Sequence, residues 1–232
     1  MTAEEGFQLV KRYIELKLIA IIQARSNSKR FNNKVLHKIY NKPIIWHVVS
    51  KIKKSKNVKK IIVATSKNKT DDELVKYLVK TKINYFRGSL TNVAKRLCDA
   101  AEKNKAKFFM RISADSPLID RAIIDKAIKI FNSQKKKYDI ITNVFPRSYP
   151  KGQSVEIIKN SKLRNFLKKF NKEQKEHVTK YFYENYKSFM IKNFTRVKTK
   201  TKTKTKLAID TKNDLRLILK KYKKKKFINF SL

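Results

Sequence analysis

The chain has 232 residues, with 59 Lys and Arg against 18 Asp and Glu, a formal net charge of +41, and 41% hydrophobic and 11% aromatic residues. This is enough apolar material for one large domain, or one domain with a lobe. A single cysteine, Cys98, excludes an intrachain disulfide framework. The start, MTAEEGFQLVKR, lacks the basic, apolar and small-residue layout of a secretory leader, and the apolar run Leu16–Ile22 is interrupted by Lys17 and far short of a membrane span. The expectation is a cytoplasmic protein without membrane insertion. The cations are spread from end to end, and the abundant Lys, Asn, Ile, Phe and Tyr are all specified by A/T-rich codons. A biased genome explains the charge more economically than a nucleic-acid-binding face does, so only weak, salt-dependent, nonspecific attraction to nucleic acid is predicted.

Residues 4–16 carry Phe7, Val10 and Ile14 at helical spacing and read as a short helix packed on the domain or as a loosely held extension. Strand-like runs follow at 18–22, 60–64, 83–86, 107–112 and 138–142, with helical patterns between them at 43–54, 71–80, 91–104 and 120–132. Asp71 and Asp72 stand where a helix start favours acidic groups. Such alternation predicts βαβ crossovers, hence an α/β fold with a mostly parallel sheet flanked by helices. After residue 143 the rhythm changes. VFPRSYPKGQSVEII reads as a loop and a strand, 160–170 and 172–187 as helices, and 188–194 as a strand. The Lys-Thr run at 198–206 reads either as an exposed hairpin arm or as disordered chain. LAID at 207–210 reads as a strand and 212–222 as a helix. The predicted layout is an extension at 1–16 and a single domain over 17–232, with a lobe at about 144–206 contributing to the same sheet. Gly88 and Gly152 survive in a chain with only 3 glycines, which reads as two ordinary turns or as positions where a positive φ or a close approach excludes a β-carbon.

The most informative stretch is LIAIIQARSNSKRFNNKVL, residues 18–36. An apolar strand opens into a loop carrying Arg25, Lys29, Arg30 and Lys34, with Ser28 and three asparagines among them. Open α/β sheets place ligands at the carboxyl ends of their strands, and staggered guanidinium and ammonium groups suit a polyphosphate. Asp115, in RISADSPLID, and Asp210, in LAIDTKNDL, each follow a strand-like run. Each could simply cap the next helix, but two carboxylates facing a polyphosphate loop can hold Mg²⁺. Glu156 lies on an apolar strand and His177 on a helix among apolar residues, and spacing alone gives neither a chemical role.

These motifs, in this order, resemble the cytidylyltransferases that activate acidic sugars as CMP-sugars, acylneuraminate and 3-deoxy-manno-octulosonate cytidylyltransferases among them, and most of all the type of the spore coat polysaccharide biosynthesis protein F. The blocks IIQARSNSKRFNNKVL, KPIIWHVVSKIKKSKNVKKIIVATS, FRGS, RISADSPLID, and YPKGQSVEI with KEHVT and AIDTKNDL carry the resemblance over about Leu18 to Leu219. It implies a Rossmann-like nucleotide-diphospho-sugar transferase fold with a small dimerisation lobe, and a homodimer. The implied activity is Mg²⁺-dependent transfer of CMP from CTP to a hydroxyl of an acidic 2-keto sugar, for surface polysaccharide or glycan synthesis. Arg25 and Lys34 would be the catalytic phosphate partners, assisted by Ser28, Lys29 and Arg30. Gln23 and Ala24 would seat the base through the backbone. Asp115 and Asp210 would bind the metal, Arg87 would lie on the nucleotide side, and Glu156 and His177 on the sugar side.

The chain departs from the family pattern at Phe31-Asn32, which replaces Leu-Pro and predicts a less rigid loop, and at Asn92, Ser154 and Lys175, which replace Asp, Asp and Arg. These departures motivate a second reading, a weakly catalytic homologue that binds nucleotide or sugar nucleotide as a subunit. A third, a nucleic-acid-binding protein, draws on the charge and the Lys-Thr arm.

Overall fold

The computed structural model describes residues 18–28, 30–133, 137–196 and 206–222. The expected extension at 1–16, the arm up to residue 205 and Lys29 lie outside these.

Strand β1 (Ile19–Gln23) is the middle of the fold. It pairs in parallel with β2 (Lys60–Ser66) on one side and with β4 (Phe108–Ser113) on the other. Strand β3 (Tyr85–Gly88) extends the first side in parallel. Beyond β4 lies β6 (Glu156–Lys159), the antiparallel member, followed by β5 (Ile140–Thr142) and the edge strand β7 (Ile191–Asn193). The seven-stranded order is therefore β3-β2-β1-β4-β6-β5-β7.

Alternation along β1 explains why an almost wholly apolar strand is stable there. Ala20 and Ile22 join one core layer, with α1 (Ile44–Lys53), α2 (Asp72–Lys80) and α4 (Arg121–Ser133). Ile19 and Ile21 join the opposite layer, with α3 (Val93–Lys103) and α5 (Asn160–Phe166). A parallel sheet covered on both faces reads as continuous hydrophobic runs. The chain leaves β1 toward β2 and β3, then returns to place β4 on its other side. A crevice therefore opens at the carboxyl ends of β1 and β4, where the strand order reverses and α/β proteins bind ligands. A third core cluster, built on Phe31, Ile39, Ile44, Leu118, Leu207, Ile209 and Ile218, pins the β1 loop and α8 (Lys212–Lys221) to this end of the sheet.

Two expected elements take another form. Residues 172–187 are not one helix: α6 (Lys172–Glu176) stops at His177, which has ψ 77°, and α7 (Lys180–Glu184) starts afresh. Residues 207–210 are extended but not a strand. Leu207 donates its N–H to Lys151 O (2.7 Å) and Ile209 donates to Asp115 O (2.9 Å), so the segment crosses the strand ends instead of pairing along an edge. Strands β6 and β7, from the second half of the chain, belong to the same seven-stranded sheet. No helix among the described residues is long and apolar enough to cross a membrane.

Both interior glycines occupy positions that exclude a β-carbon. Gly152 has φ +97°, and a Cβ there would stand 2.4 Å from the Leu207 carbonyl carbon. At Gly88 a Cβ would meet Arg96 Cγ at 2.8 Å.

Candidate active site

The loop after β1 is tied down from below. Asp71, fully buried, accepts from Ser26 N–H (2.6 Å) and Ser66 N–H (2.9 Å), and also from the Ser66 hydroxyl. Phe31, in place of the family's leucine, is buried in the third core cluster, and Asn33 donates its N–H to Ser26 O (2.9 Å). Phe31 thus ties the loop to the third core cluster. Burial disfavours the Asp71 charge, but the Ser26 and Ser66 donors outweigh it and hold the carboxyl below its ordinary range. A depressed native pKa adds stability that is present above the unfolded value, near 4, and is lost as pH falls through the native one. Asp71→Asn is expected to lower unfolding free energy by about 1.5–3 kcal/mol at neutral pH. The gap from the wild type should close in strong acid, as read by denaturant titration across pH.

The loop and the ends of β1, β4 and α6 enclose a cavity of about 320 Å³. It brings together Gln23, Ala24, Arg25, Ser28, Arg30, Lys34, Asp115, His177 and Asp210 from among the expected site residues. Lys34 Nζ stands 3.4 Å from Asp115 Oδ2 and 3.6 Å from Asp210 Oδ1. Two carboxylates separated by almost a hundred residues thus converge on one ammonium. The backbone bond from Ile209 to Asp115 makes them neighbours. Burial opposes the Asp210 charge, but a bond from Lys206 (2.8 Å) and the nearby Lys34 and Arg30 keep its carboxyl below the usual range. Arg25 presents its fork to Glu176 (Nη2–Oε1 2.9 Å, Nη1–Oε2 3.2 Å), and Arg30 lies 3.8 Å from Asp210.

A second cavity, of about 610 Å³, adjoins the first, and Arg111, Ser113, Asp115 and His177 line both. Its far wall holds Phe145 stacked on Tyr183, with centroids 4.7 Å apart and planes at 7°. Glu156 is 1% exposed and faces inward. It accepts from Thr179 Oγ1 (2.8 Å) and Tyr183 OH (2.5 Å) and forms an ion pair with Arg111. Burial first, then the Glu156 charge, raises the Tyr183 pKa well above its ordinary value, so the phenol remains a donor. Arg111 also donates Nε–H to Gln23 Oε1 (2.8 Å), which joins the end of β1 to the second cavity. Among the family departures, Ser154 accepts from Arg147 Nη1 (3.1 Å) and Asn92 caps α3 by accepting from Lys95 N–H (2.9 Å).

Some expected residues stand differently. Arg87 lines neither cavity: its guanidinium donates to Ser66 O (2.9 Å), Asn68 O (3.0 Å) and Asp72 Oδ1 (2.7 Å). Gln23 and Ala24 line the first cavity, where Gln23 O accepts from Ala114 N–H (3.0 Å) and Ala24 N–H donates to Ala64 O (3.1 Å). Arg96, Arg111 and Glu176 were not singled out from the sequence, and Asp71 was read there only as an acid at a helix start, where its side chain in fact makes no cap bond and instead accepts from Ser26 and Ser66. For Arg96 and Arg111 a signal existed, a charge set on an otherwise apolar helix stripe or strand, whereas the roles of Asp71 and Glu176 arise only from distant contacts.

A family description, cytidylyltransferase, matches residues 19–229. The chain belongs to the cytidylyltransferase family. It is 33% identical over 218 residues to an uncharacterized protein of Methanocaldococcus jannaschii, covering 94% of this chain and 88% of that one. It is 27% identical over 213 residues to the spore coat polysaccharide biosynthesis protein SpsF of Bacillus subtilis, covering 89% and 87%. A match to the 3-deoxy-manno-octulosonate cytidylyltransferase of Geobacter metallireducens, 34% identical, covers 49% of this chain and 44% of that enzyme. Among solved structures, a cytidylyltransferase from Leptospira borgpetersenii superposes with a TM-score of 0.84 at 25% identity, covering 93% and 92% of the two chains. CMP:2-keto-3-deoxy-manno-octonic acid synthetase complexed with CTP superposes with a TM-score of 0.67 at 16% identity over 87% and 96%, a likeness of fold. Membership makes this a nucleotidyltransferase enzyme of Rossmann-like fold.

Proposed function

We propose that the enzyme transfers CMP from CTP to a hydroxyl of an acidic 2-keto sugar and releases pyrophosphate. The observation that carries this reading is the junction of two cavities at Asp115, beside Lys34. The cation-lined cavity suits a triphosphate, and the larger, aromatic-walled one suits a sugar. The names of the relatives, which include octulosonate cytidylyltransferases and a polysaccharide biosynthesis protein, agree with such an acceptor.

The attacking hydroxyl oxygen bonds to the α-phosphorus, the α–β anhydride bond breaks, pyrophosphate carries away the electron pair, and the hydroxyl proton passes to solvent. Both reactants are anionic, so Arg25 and Lys34 serve by neutralising charge that grows on the phosphates. His177 and the Arg111–Glu156–Tyr183 set orient the acceptor.

Among the described residues no group of three or more metal-ligating side chains gathers. Two carboxylates do converge, at Asp115 and Asp210, and that is the donor set expected for Mg²⁺, which draws most of its ligands from phosphates and water. Bound there, Mg²⁺ would neutralise phosphate charge and make the attacking hydroxyl more acidic. The test is pyrophosphate release from each nucleoside triphosphate against a panel of sugar acids, with and without Mg²⁺. Release from CTP that requires both acid and metal, and that disappears in Asp115→Ala, is expected. Full turnover by Asp115→Ala would exclude the proposal.

A further inference from the structure

Three carboxylates line the first cavity: Asp115, Glu176 and Asp210. Beside an incoming triphosphate each is repulsive unless a cation neutralises it. Asp115 and Asp210 converge on Lys34 and form the proposed metal pair. Glu176 stands outside that pair. Among the described residues its ion-pair partner is Arg25, gripped through both guanidinium nitrogens (Nη2–Oε1 2.9 Å, Nη1–Oε2 3.2 Å). A guanidinium offers phosphate the same fork, so carboxylate and phosphate compete for the same two N–H groups. Neither side chain is enclosed, with Arg25 39% and Glu176 37% exposed, and an ion pair that open to water is weak enough to be exchanged.

The backbone on the two sides of the pair differs. Next to Arg25, Ser26 is buried and anchored by Asp71, so the base of the arginine is fixed. Glu176 is the last residue of α6, and the helix breaks immediately after it at His177. The carboxylate thus sits at a helix end and is the partner better able to withdraw. Arg96, 1% exposed, lines the same cavity. Burial lowers its pKa to about 10 while the Asp71 and Glu176 charges oppose that through space, so a displaced Glu176 still has a cation to face. We propose that Glu176 is a resident counter-ion, which holds the Arg25 fork in the cavity while no phosphate is bound, yields it to the arriving triphosphate, and takes it back as pyrophosphate leaves. Glu176 is then a positioning residue that acts through Arg25, and it keeps the cavity from retaining its own product. This inference rests on the reading of the cavity as a nucleotide site.

The test is calorimetric binding of CTP, inorganic triphosphate and pyrophosphate without acceptor, which needs no turnover. In Glu176→Gln, which keeps the shape and removes the charge, all three are expected to bind about 3- to 10-fold more tightly, because no half-exposed pair must be broken and no carboxylate faces the phosphates. Glu173→Gln removes the same charge from the same helix, where it pairs with Lys180, and should leave the three affinities within about two-fold. In steady-state pyrophosphate release, Glu176→Gln should lower KM for CTP and make pyrophosphate a stronger inhibitor. Unchanged or weaker triphosphate binding by the folded variant would overturn the proposal, as would an equal gain in Glu173→Gln, or a fall in kcat with KM unchanged, which marks a structural role. Glu176→Ala provides the same test if Glu176→Gln does not fold. A wild type that binds neither CTP nor triphosphate would overturn the nucleotide-site reading itself, and this inference with it.

Discussion

Replacing Lys34 with methionine is expected to reduce turnover about 10²- to 10³-fold, the usual consequence of removing one preorganised donor from a site of developing charge. The loss should be larger than that from Arg30→Ala. Arg30 is mostly exposed and 3.8 Å from its single carboxylate partner, whereas Lys34 is largely enclosed and faces both Asp115 and Asp210. Without the ammonium, two carboxylates confront the incoming triphosphate. Raised Mg²⁺ should therefore recover part of the activity by restoring positive charge between them. Steady-state pyrophosphate release across a Mg²⁺ series, with circular dichroism to confirm an unchanged fold, reads both effects. Turnover within about three-fold of wild type would remove Lys34 from the mechanism.

The largest effect on stability is expected at Gly152. Alanine there meets a left-handed φ of +97° and backbone atoms at 2.4 and 2.5 Å, and neither the Leu207 carbonyl carbon nor the Ala208 nitrogen can swing aside as a side chain could. Strain and overpacking together should lower stability by about 3 kcal/mol or more, read as a fall in denaturation midpoint. The displaced segment is the one that carries Asp210 to Asp115, so the folded fraction should also lose activity. Gly88→Ala is the milder case, because the nearest atom there belongs to the stem of Arg96.

Much of the architecture could be read in advance because β1, β2 and β4 are buried on both faces, and full burial leaves unbroken apolar runs such as Ile19–Ile22 and Phe108–Met110. The convergence of Arg25, Lys34, Asp115 and Asp210 was likewise legible, since each follows the carboxyl end of an apolar run. The break at His177 was not. Apolar residues at 178, 181 and 182 satisfy a helical period on either side of it, and the break is visible only once Thr179 bonds to Glu156 on a distant strand. Residues 207–210 misled in the opposite way. LAID has strand composition because Leu207 and Ile209 are buried, but they are buried beneath the β1 loop and α8 and not within a sheet. Composition reports burial and cannot say against what. Glu156 shows the same limit: alternation cannot decide whether a strand carboxylate points outward or is enclosed by Arg111, Thr179 and Tyr183.

The second carboxylate of the site comes from a crossing segment that follows the last strand. The sheet closes with β7 at Asn193, and Asp210 lies beyond it on a segment that belongs to no strand. Removal of the chain from residue 207 onward would therefore delete no strand of the sheet, yet it would take away one of the two carboxylates beside Lys34 together with Leu207, Ile209 and Ile218 of the third core cluster. Trimming this tail would strip the pocket and part of the interior in one cut.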